Sequence, residues 1–174
     1  MKVCIYCRVS KQDQHVDQQV DVCKEYAKRQ GWEVVWTIKD KESGGKELQS
    51  RKQFSRIINT INGTAKESDR YNFLDKCDAI LVFKLDRLSR NWFDEHYIEK
   101  AFSTSNKIGI DLLSTCEPID FKTTNGKFMF RFHFLLACRE RDELIYRTMV
   151  GVNRAKAEGK YKGRPKGSKN KVKN

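Results

Sequence analysis

The sequence predicts an α/β fold in which a mostly parallel central sheet is flanked by helices and followed by a long C-terminal helix. The first observation is an alternation of short apolar runs, typical of strands, with segments whose apolar residues recur at helical spacing. The second is a change after Thr124, because residues 126 to about 158 contain no proline and no clear break. The phenylalanines between 128 and 134 recur at every second position, which also fits a strand, but the length of the unbroken segment favours a helix. We therefore expect an α/β core over residues 1–124, a long helix within 125–159, and a basic, flexible tail over 160–174.

The first half of the core has two strand signals separated by one helix signal. Lys2–Cys7 is rich in β-formers, and Val16–Gln30 carries apolar residues on one helical face before Gly31 ends it. Trp32–Ile38 is aromatic and β-branched and predicts the second strand. Asp40–Gly45 has the composition of a loop.

The second half of the core continues the alternation. Apolar residues from Phe54 to Ile61 mark a helix that ends near Gly63, and the polar, mixed residues 64–76 predict an irregular insertion. Cys77–Phe83 is apolar enough to be a strand buried on both faces. A helix and a strand are predicted after it, at Trp92–Ser105 and Ile108–Ser114. Strands that alternate with helices in this way pair in parallel.

Composition and charge limit the classes of function. The chain has 174 residues and is 39% apolar, which is enough for a core, and no stretch reaches the roughly 18 apolar residues of a membrane span. No signal-peptide pattern opens the sequence, so we expect a soluble cytoplasmic protein. The formal net charge is +12, and residues 154–174 hold nine of the 35 Lys and Arg residues. This excess predicts a polyanionic partner.

The sequence contains no motif for a metal or a cofactor. Cys4 and Cys7 form a C-x-x-C pair, but on a strand they point to opposite faces, and the other cysteines supply no second pair. There is no Walker A motif, no G-x-G-x-x-G after the first strand and no H-E-x-x-H. We therefore predict that no cofactor and no metal ion take part.

Arginines cluster where two predicted strands end. Arg8-Val9-Ser10 follows the first strand, and Asp86, Arg87 and Arg90 follow the strand at Cys77–Phe83. Because the carboxyl ends of parallel strands meet at one edge, we expect Ser10 to lie near guanidinium groups suited to holding a phosphate. This arrangement favours attack on a phosphodiester, with arginines stabilising the charged oxygens. The residues fit a second interpretation equally well, in which the arginines only bind phosphate and Ser10 caps a turn.

Four separated blocks together resemble the serine recombinases, the resolvase and invertase group. The blocks are Tyr6-Cys7-Arg8-Val9-Ser10 with Gln14 and Gln19; Ser43-Gly44 with Arg51 and Phe54; Leu85-Asp86-Arg87-Leu88-Ser89-Arg90; and Glu140-Arg141, Arg147-Thr148, Gly151 and Gly159. The third is similar to the family's Asp-Arg-Leu-x-Arg signature. Their order and spacing, from Lys2 to about Lys166, make the resemblance specific.

The resemblance implies a site-specific recombinase that cuts and rejoins DNA through a phosphoserine bond at Ser10. The other catalytic residues that it implies are Arg8, Arg51, Arg87 and Arg90 on the scissile phosphate, Asp86 as their orienting carboxylate, Gln14 and Gln19 beside the nucleophile, and Glu140 on the long helix. DNA contacts are expected from Arg141, Arg147 and Arg154 on that helix and from Lys162, Arg164, Lys166 and Lys169 in the tail. Small members of this family continue into a helix-turn-helix domain at the point where this sequence ends.

The expected partners are double-stranded DNA and further copies of the chain. Nine of the eleven residues from Phe128 to Cys138 are apolar, so a helix there needs cover on more than one side. We expect a homodimer through this segment, with Phe130 and Phe134 in the contact, and a tetramer on paired DNA sites. In the tail, Gly163-Arg164-Pro165 is similar to the core of an AT-hook, which lies in a narrow minor groove.

Two other functions are compatible with parts of the sequence. A non-catalytic DNA-binding regulator on the same fold would need the basic tail and the dimer helix but no nucleophile. A metal-dependent nuclease would need clustered carboxylates, which the sequence does not offer.

Overall fold

A computed structural model describes residues 1–9, 16–41, 51–89, 91–103, 108–161 and 163. Its helices and strands are β1 (Lys2–Val9), α1 (Val16–Arg29), β2 (Glu33–Lys41), α2 (Lys52–Ile61), β3 (Ala79–Val82), α3 (Glu95–Phe102), β4 (Asp111–Ser114) and α4 (Thr124–Ala157). The strands form one parallel sheet in the order β2-β1-β3-β4, with helices on both of its faces. The α/β class and the long C-terminal helix are confirmed.

The sheet brings the ends of β1 and β3 together. β1 is a central strand that pairs with β2 on one side and with β3 on the other, so that Tyr6 lies opposite Val82. All four residues of β3 are buried, as its continuous apolar run predicts for a strand covered on both faces. The chain segments that leave β1 and β3 therefore start at the same edge of the sheet.

Alternate side chains of β1 enter two separate apolar cores. Tyr6 packs with residues of α2, α3 and the start of α4, including Phe54 and Phe130. Ile5 and Cys7 pack instead against α1, where Cys23 lies. This alternation is the period-two geometry of a strand. All six cysteines are free thiols, and only Cys116 is exposed.

The insertion after α2 folds into short turns of 3₁₀ helix at Glu67–Asp69 and Asn72–Lys76. Phe73 stacks on Trp36 of β2 with their ring centroids 4.9 Å apart, and Tyr71 lies 5.1 Å from Phe73. These aromatic contacts attach the polar insertion to the edge strand of the sheet.

Some element boundaries differ from the predicted ones. β2 continues through Asp40, because this residue pairs in register with Arg8 and accepts a hydrogen bond from Tyr6. The first two residues of the predicted loop therefore belong to the strand, and residues 42–45 lie outside the described part of the chain. The helix predicted at Trp92–Ser105 is a 3₁₀ turn at Trp92–Asp94 followed by α3. The last strand occupies only Asp111–Ser114.

The chain divides into two compact units, Met1–Cys138 and Arg139–Asn174. In the first unit, the beginning of α4 buries Phe130 and Phe134 completely in the core of the same chain. The prediction that these two residues contact a partner is therefore wrong. Four other apolar side chains of this segment are between 38% and 61% exposed, namely Phe128, Phe132, Leu135 and Leu136.

The second unit contains the remaining turns of α4, whose side chains are mostly exposed. Glu143 pairs with both Arg139 and Arg147, and Arg154 pairs with Glu158, in each case one helical turn apart. Gly159 follows the helix with a positive φ of 66°, a common way for a helix to end. Among the described residues, no helix is long and apolar enough to cross a membrane.

Candidate active site

Arg8, near the end of β1, holds the chain segment that follows β3. Its side chain is 3% exposed, and its Nε donates a hydrogen bond to the carbonyl oxygen of Arg87 over 3.1 Å. Its Nη2 lies 3.5 Å from the carbonyl oxygen of Asp86. The parallel pairing of β1 with β3 makes these contacts possible, because both segments leave the sheet at one edge.

Asp86 and Arg87 form a two-pronged ion pair in a 3₁₀ turn, Leu85–Arg87. Arg87 donates from Nε and Nη2 to the two carboxylate oxygens of Asp86 over 2.9 and 2.8 Å. Asp86 is buried, while the Arg87 side chain keeps 20% of its surface exposed. The carboxylate therefore fixes the plane of a guanidinium that can still reach a ligand.

Arg51 is a fully buried cation at the N-terminal end of α2. Its Nη2 donates to the carbonyl oxygen of Leu88, and its guanidinium carbon lies 5.4 Å from the centre of the Phe54 ring. Its Nε and Nη1 are buried and have no hydrogen-bond partner among the described residues. A buried cation with unsatisfied donors is costly, so this position favours an anion.

Several buried polar residues hold these segments in place, and the sequence motifs gave none of them a role. Glu117 accepts hydrogen bonds from the Leu85 amide, over 3.2 Å, and from the Ser114 hydroxyl. Ser89 donates to the carboxylate of Asp94.

Tyr6 and Asp40 form a second buried polar contact below the site. The Tyr6 hydroxyl donates to an Asp40 carboxylate oxygen over 3.0 Å. Burial raises the pKa of Tyr6, so the hydroxyl stays protonated and remains a donor.

The described residues bring together part of the predicted site. Arg8, Arg51, Asp86 and Arg87 converge through the contacts given above. Gln19 is buried on α1, and its Oε1 has no hydrogen-bond partner among the described residues. Within the second unit, Arg141 is half-buried and three other predicted residues are exposed, Glu140, Arg147 and Arg154. Seven predicted residues lie outside the described part of the chain: Ser10, Gln14, Arg90, Lys162, Arg164, Lys166 and Lys169.

The convergent residues have the charge and the donors to hold an anion. The three guanidinium groups outnumber the two buried carboxylates near them, Asp86 and Asp40, so an excess of positive charge remains. Guanidinium donors match the oxygens of a phosphate. Within the described residues, no three His, Cys, Asp or Glu side chains come together as a metal-binding group.

Comparison with known proteins gives a family match over most of the chain. The family model described as "Resolvase, N terminal domain" matches residues 3–161. The Tn917 resolvase of Enterococcus faecalis is 31% identical over 160 residues, which are 92% of this chain and 74% of the resolvase. The serine recombinase Gin of Escherichia phage Mu is 37% identical over 92 residues, which are 53% of this chain and 46% of Gin.

Two solved structures resemble the chain in fold as well as in sequence. The N-terminal catalytic domain of TP901-1 integrase is 34% identical, with a TM-score of 0.55 over 82% of this chain and 98% of that domain. A resolvase family site-specific recombinase from Streptococcus pneumoniae is 25% identical, with a TM-score of 0.54 over 90% of this chain and 99% of that one.

Proposed function

This chain belongs to the serine recombinase family of resolvases and DNA invertases, and we propose that it is a site-specific recombinase that cuts and rejoins DNA through Ser10. The observation that supports the assignment best is the convergence of Arg8, Arg51 and Arg87 at the sheet edge that precedes Ser10. In particular, the two Arg51 donors that have no hydrogen-bond partner among the described residues support the proposal of an anionic ligand at this edge.

The proposed reaction exchanges one phosphodiester bond for another. The Ser10 oxygen attacks the scissile phosphorus and loses its proton, while the bond from phosphorus to a deoxyribose oxygen breaks. That oxygen leaves as a hydroxyl, and the DNA strand stays joined to Ser10 as a phosphoserine. A hydroxyl of a second strand then attacks the phosphoserine, which forms the recombined DNA and releases Ser10.

The arginines supply the charge stabilisation in this proposal. Arg8 and Arg51, both buried and held by backbone carbonyls, donate to the non-bridging oxygens as negative charge develops on them. Arg87, held by Asp86, completes the set together with Arg90. Because one ester is exchanged for another, the reaction needs no ATP, and the arginines do the work that a metal ion does in other phosphoryl-transfer enzymes.

The proposed partners are double-stranded DNA and further copies of the chain. Recombination cuts two strands at each site, so two active sites must meet, and four chains act on paired sites. The support for assembly is the exposed apolar face of α4 within the first unit, which carries Phe128 and Phe132. Arg141, Arg147, Arg154 and the basic tail residues are the proposed DNA contacts, and the protein acts on DNA in the cytoplasm.

Replacing Ser10 by Ala tests the nucleophile. The protein is incubated with fragmented DNA of its source genome and denatured, and DNA that remains covalently attached is captured and sequenced. We expect adducts at a defined sequence with the native protein and none with Ser10→Ala, while both proteins bind DNA equally in a mobility-shift assay. Ser68→Ala, at an exposed serine of the insertion, is the matched control and keeps the adducts.

Three outcomes would overturn the proposal. Adducts that persist in Ser10→Ala would show that another residue is the nucleophile. DNA binding by the native protein without adducts, and with no change on addition of a chelator, would favour the non-catalytic regulator instead. Cleavage that a chelator abolishes, and that is never resealed, would indicate the metal-dependent nuclease.

A further inference from the structure

An open groove of about 360 Å³ lies between α2 and the insertion that follows it. The residues that line it are Lys52, Ser55, Arg56, Asn59, Thr64, Ala65, Lys66 and Asp69. None of them belongs to the catalytic set, and the insertion itself has no role in the proposed reaction.

The groove is positively charged. Three of its lining residues are cationic, Lys52, Arg56 and Lys66, against the single carboxylate of Asp69. α2 carries no acidic residue along its length, and both lysines are exposed without an ion pair among the described residues. The carboxylate of Asp75, farther along the insertion, is already paired with Arg70. Glu67, which directly follows Lys66, is the other carboxylate near the groove, so the three cations exceed the two nearby carboxylates and the groove favours an anion.

Arg56 is held in position inside the groove. Its guanidinium carbon lies 4.1 Å from the centre of the Tyr71 ring, and its Nε donates to the backbone carbonyl of Asp69. Tyr71 in turn contacts Phe73, which stacks on Trp36 of the sheet. A guanidinium fixed in this way loses little conformational entropy when it binds a ligand.

The groove starts next to the active site. Lys52 directly follows Arg51, and Arg56 and Asn59 come one and two turns later on the same side of α2. Ten helical residues span about 15 Å. One strand of duplex DNA carries a phosphate about every 3.4 Å of helix axis, so a helix of this length matches roughly four phosphates.

We propose that this groove binds the sugar-phosphate backbone of duplex DNA beside the cleavage position, with Lys52 and Lys66 neutralising phosphates and Arg56 as the fixed donor between them. The inference rests on the proposed function only in taking DNA as the substrate. The insertion thus adds to the first unit a surface that binds DNA without regard to the DNA sequence.

The test measures how the affinity for DNA depends on salt. A fluorescein-labelled duplex of about two helical turns is titrated with protein by anisotropy between about 50 and 200 mM salt. Each phosphate contact contributes about 0.9 to the slope of log affinity against log salt, so Lys52→Gln with Lys66→Gln lowers the slope by about 1.8. Between 50 and 200 mM salt, the variant should therefore lose affinity by a factor about twelve times smaller than the factor by which the native protein loses it.

Two matched variants separate a local contact from general charge. Lys24→Gln with Lys28→Gln removes the same charge from exposed positions on α1, and we expect it to change the slope by less than half as much. Lys52→Arg with Lys66→Arg keeps the charge and restores the native slope.

Equal slopes for the groove variant and the α1 variant would overturn the proposal. So would a change of oligomeric state without a change of slope, which would make the groove a contact between copies. All arms use protein that also carries Ser10→Ala, so that binding is read without cleavage. The result therefore does not depend on whether Ser10 is the nucleophile. If the groove variants bind DNA like the controls, the assignment to the recombinases is unaffected.

Discussion

At the scale of single residues, Arg51 carries the strongest electrostatic argument. Its guanidinium is 0% exposed, donates to the Leu88 carbonyl, and has two further donors without a partner among the described residues. Burying the charge in this way costs free energy, which the rest of the fold must offset. A phosphate oxygen in reach of those donors removes the penalty. The hydrogen bonds to the phosphate therefore stabilise the reacting complex and not the free protein.

Arg51→Lys keeps the charge but removes the planar set of donors, so it separates charge from geometry. We expect the rate of covalent adduct formation to fall by about 100-fold or more, which is the usual cost of losing one such donor. DNA affinity changes little in comparison. The rate is measured by quenching the reaction at timed intervals, with Arg29→Lys, at the end of α1, as the control. An adduct rate within a few-fold of the native rate would remove Arg51 from the catalytic set.

The sequence predicted the meeting of Arg8 with Asp86 and Arg87 for a physical reason. Both segments follow strands, and parallel strands end at one edge, so adjacency follows from topology alone. Arg51 needed the family resemblance, because it precedes a helix and helical periodicity does not say what a helix start contacts. The buried contact of Glu117 with Leu85 was missed, since single long-range hydrogen bonds leave no periodic signal in a sequence.

At the scale of elements, α3 and α4 meet through a small charged cluster within the first unit. Arg131 donates to both carboxylate oxygens of Glu99 over 2.8 and 2.9 Å. Glu95, one turn before Glu99, lies 3.2 Å from Arg131. Partial burial, followed by the hydrogen bond and the negative charge of Glu99, raises the pKa of Glu95 despite the nearby arginine. The cluster therefore holds one carboxylate more than Arg131 can neutralise.

This raised pKa predicts a pH-dependent gain in stability for Glu95→Gln. A carboxyl whose pKa is higher in the folded than in the unfolded state stabilises the fold below its unfolded pKa, and this contribution is lost as the pH rises through the folded pKa. At neutral pH the variant is therefore expected to be more stable by less than about 1 kcal/mol. Near pH 4, at about the ordinary pKa of glutamate, the difference largely disappears.

Urea unfolding at the two pH values checks the prediction, with Glu25→Gln on exposed α1 as the control. A variant that is less stable than the native protein at neutral pH would show that the contact with Arg131 outweighs the repulsion from Glu99.

Element types were predictable from the sequence more readily than element ends. β3 was predictable because a strand covered on both faces must be apolar throughout. The end of β2 was not predictable, because Asp40 is of a residue type that is common in turns. Asp40 stays in the strand since its buried carboxylate accepts the Tyr6 hydroxyl, a contact across 34 residues of sequence.

At the scale of the whole molecule, the phenylalanines at every second position from Phe128 to Phe134 explain why we expect the chain to self-associate. Residues two positions apart on a helix differ by about 200° around its axis, so successive phenylalanines of this run fall on opposite faces. Phe130 and Phe134 pack together in the core with ring centroids 5.7 Å apart. Phe128 and Phe132 stack on each other 6.3 Å apart and are 61% and 46% exposed. The helical identity of this segment was predictable, but which pair faces the core depends on how the helix docks.

Phe128→Asp with Phe132→Asp is expected to prevent self-association without unfolding the chain. An exposed apolar pair contributes little to the stability of the monomer but excludes water at a contact between copies. Sedimentation velocity over a range of protein concentrations, with and without DNA, measures the effect. Phe130→Ala is the contrasting variant, and it should lower the free energy of unfolding by about 3–5 kcal/mol. A native protein that remains monomeric under all conditions would contradict the role of this face.

The parallel pairing of β1 with β3 also has a consequence for synthesis of the chain. Arg8 contacts a carbonyl 79 residues ahead of it, and Arg51 contacts one 37 residues ahead, so the anion site joins distant parts of the chain. Contacts of this range form late, since long loops must close before they can form. A nascent chain that has released only β1, α1 and β2 from the ribosome lacks the segment that Arg8 and Arg51 bind. The anion site can thus form only after the chain has been made through Leu88, and a shorter nascent chain lacks the carbonyls that hold both arginines.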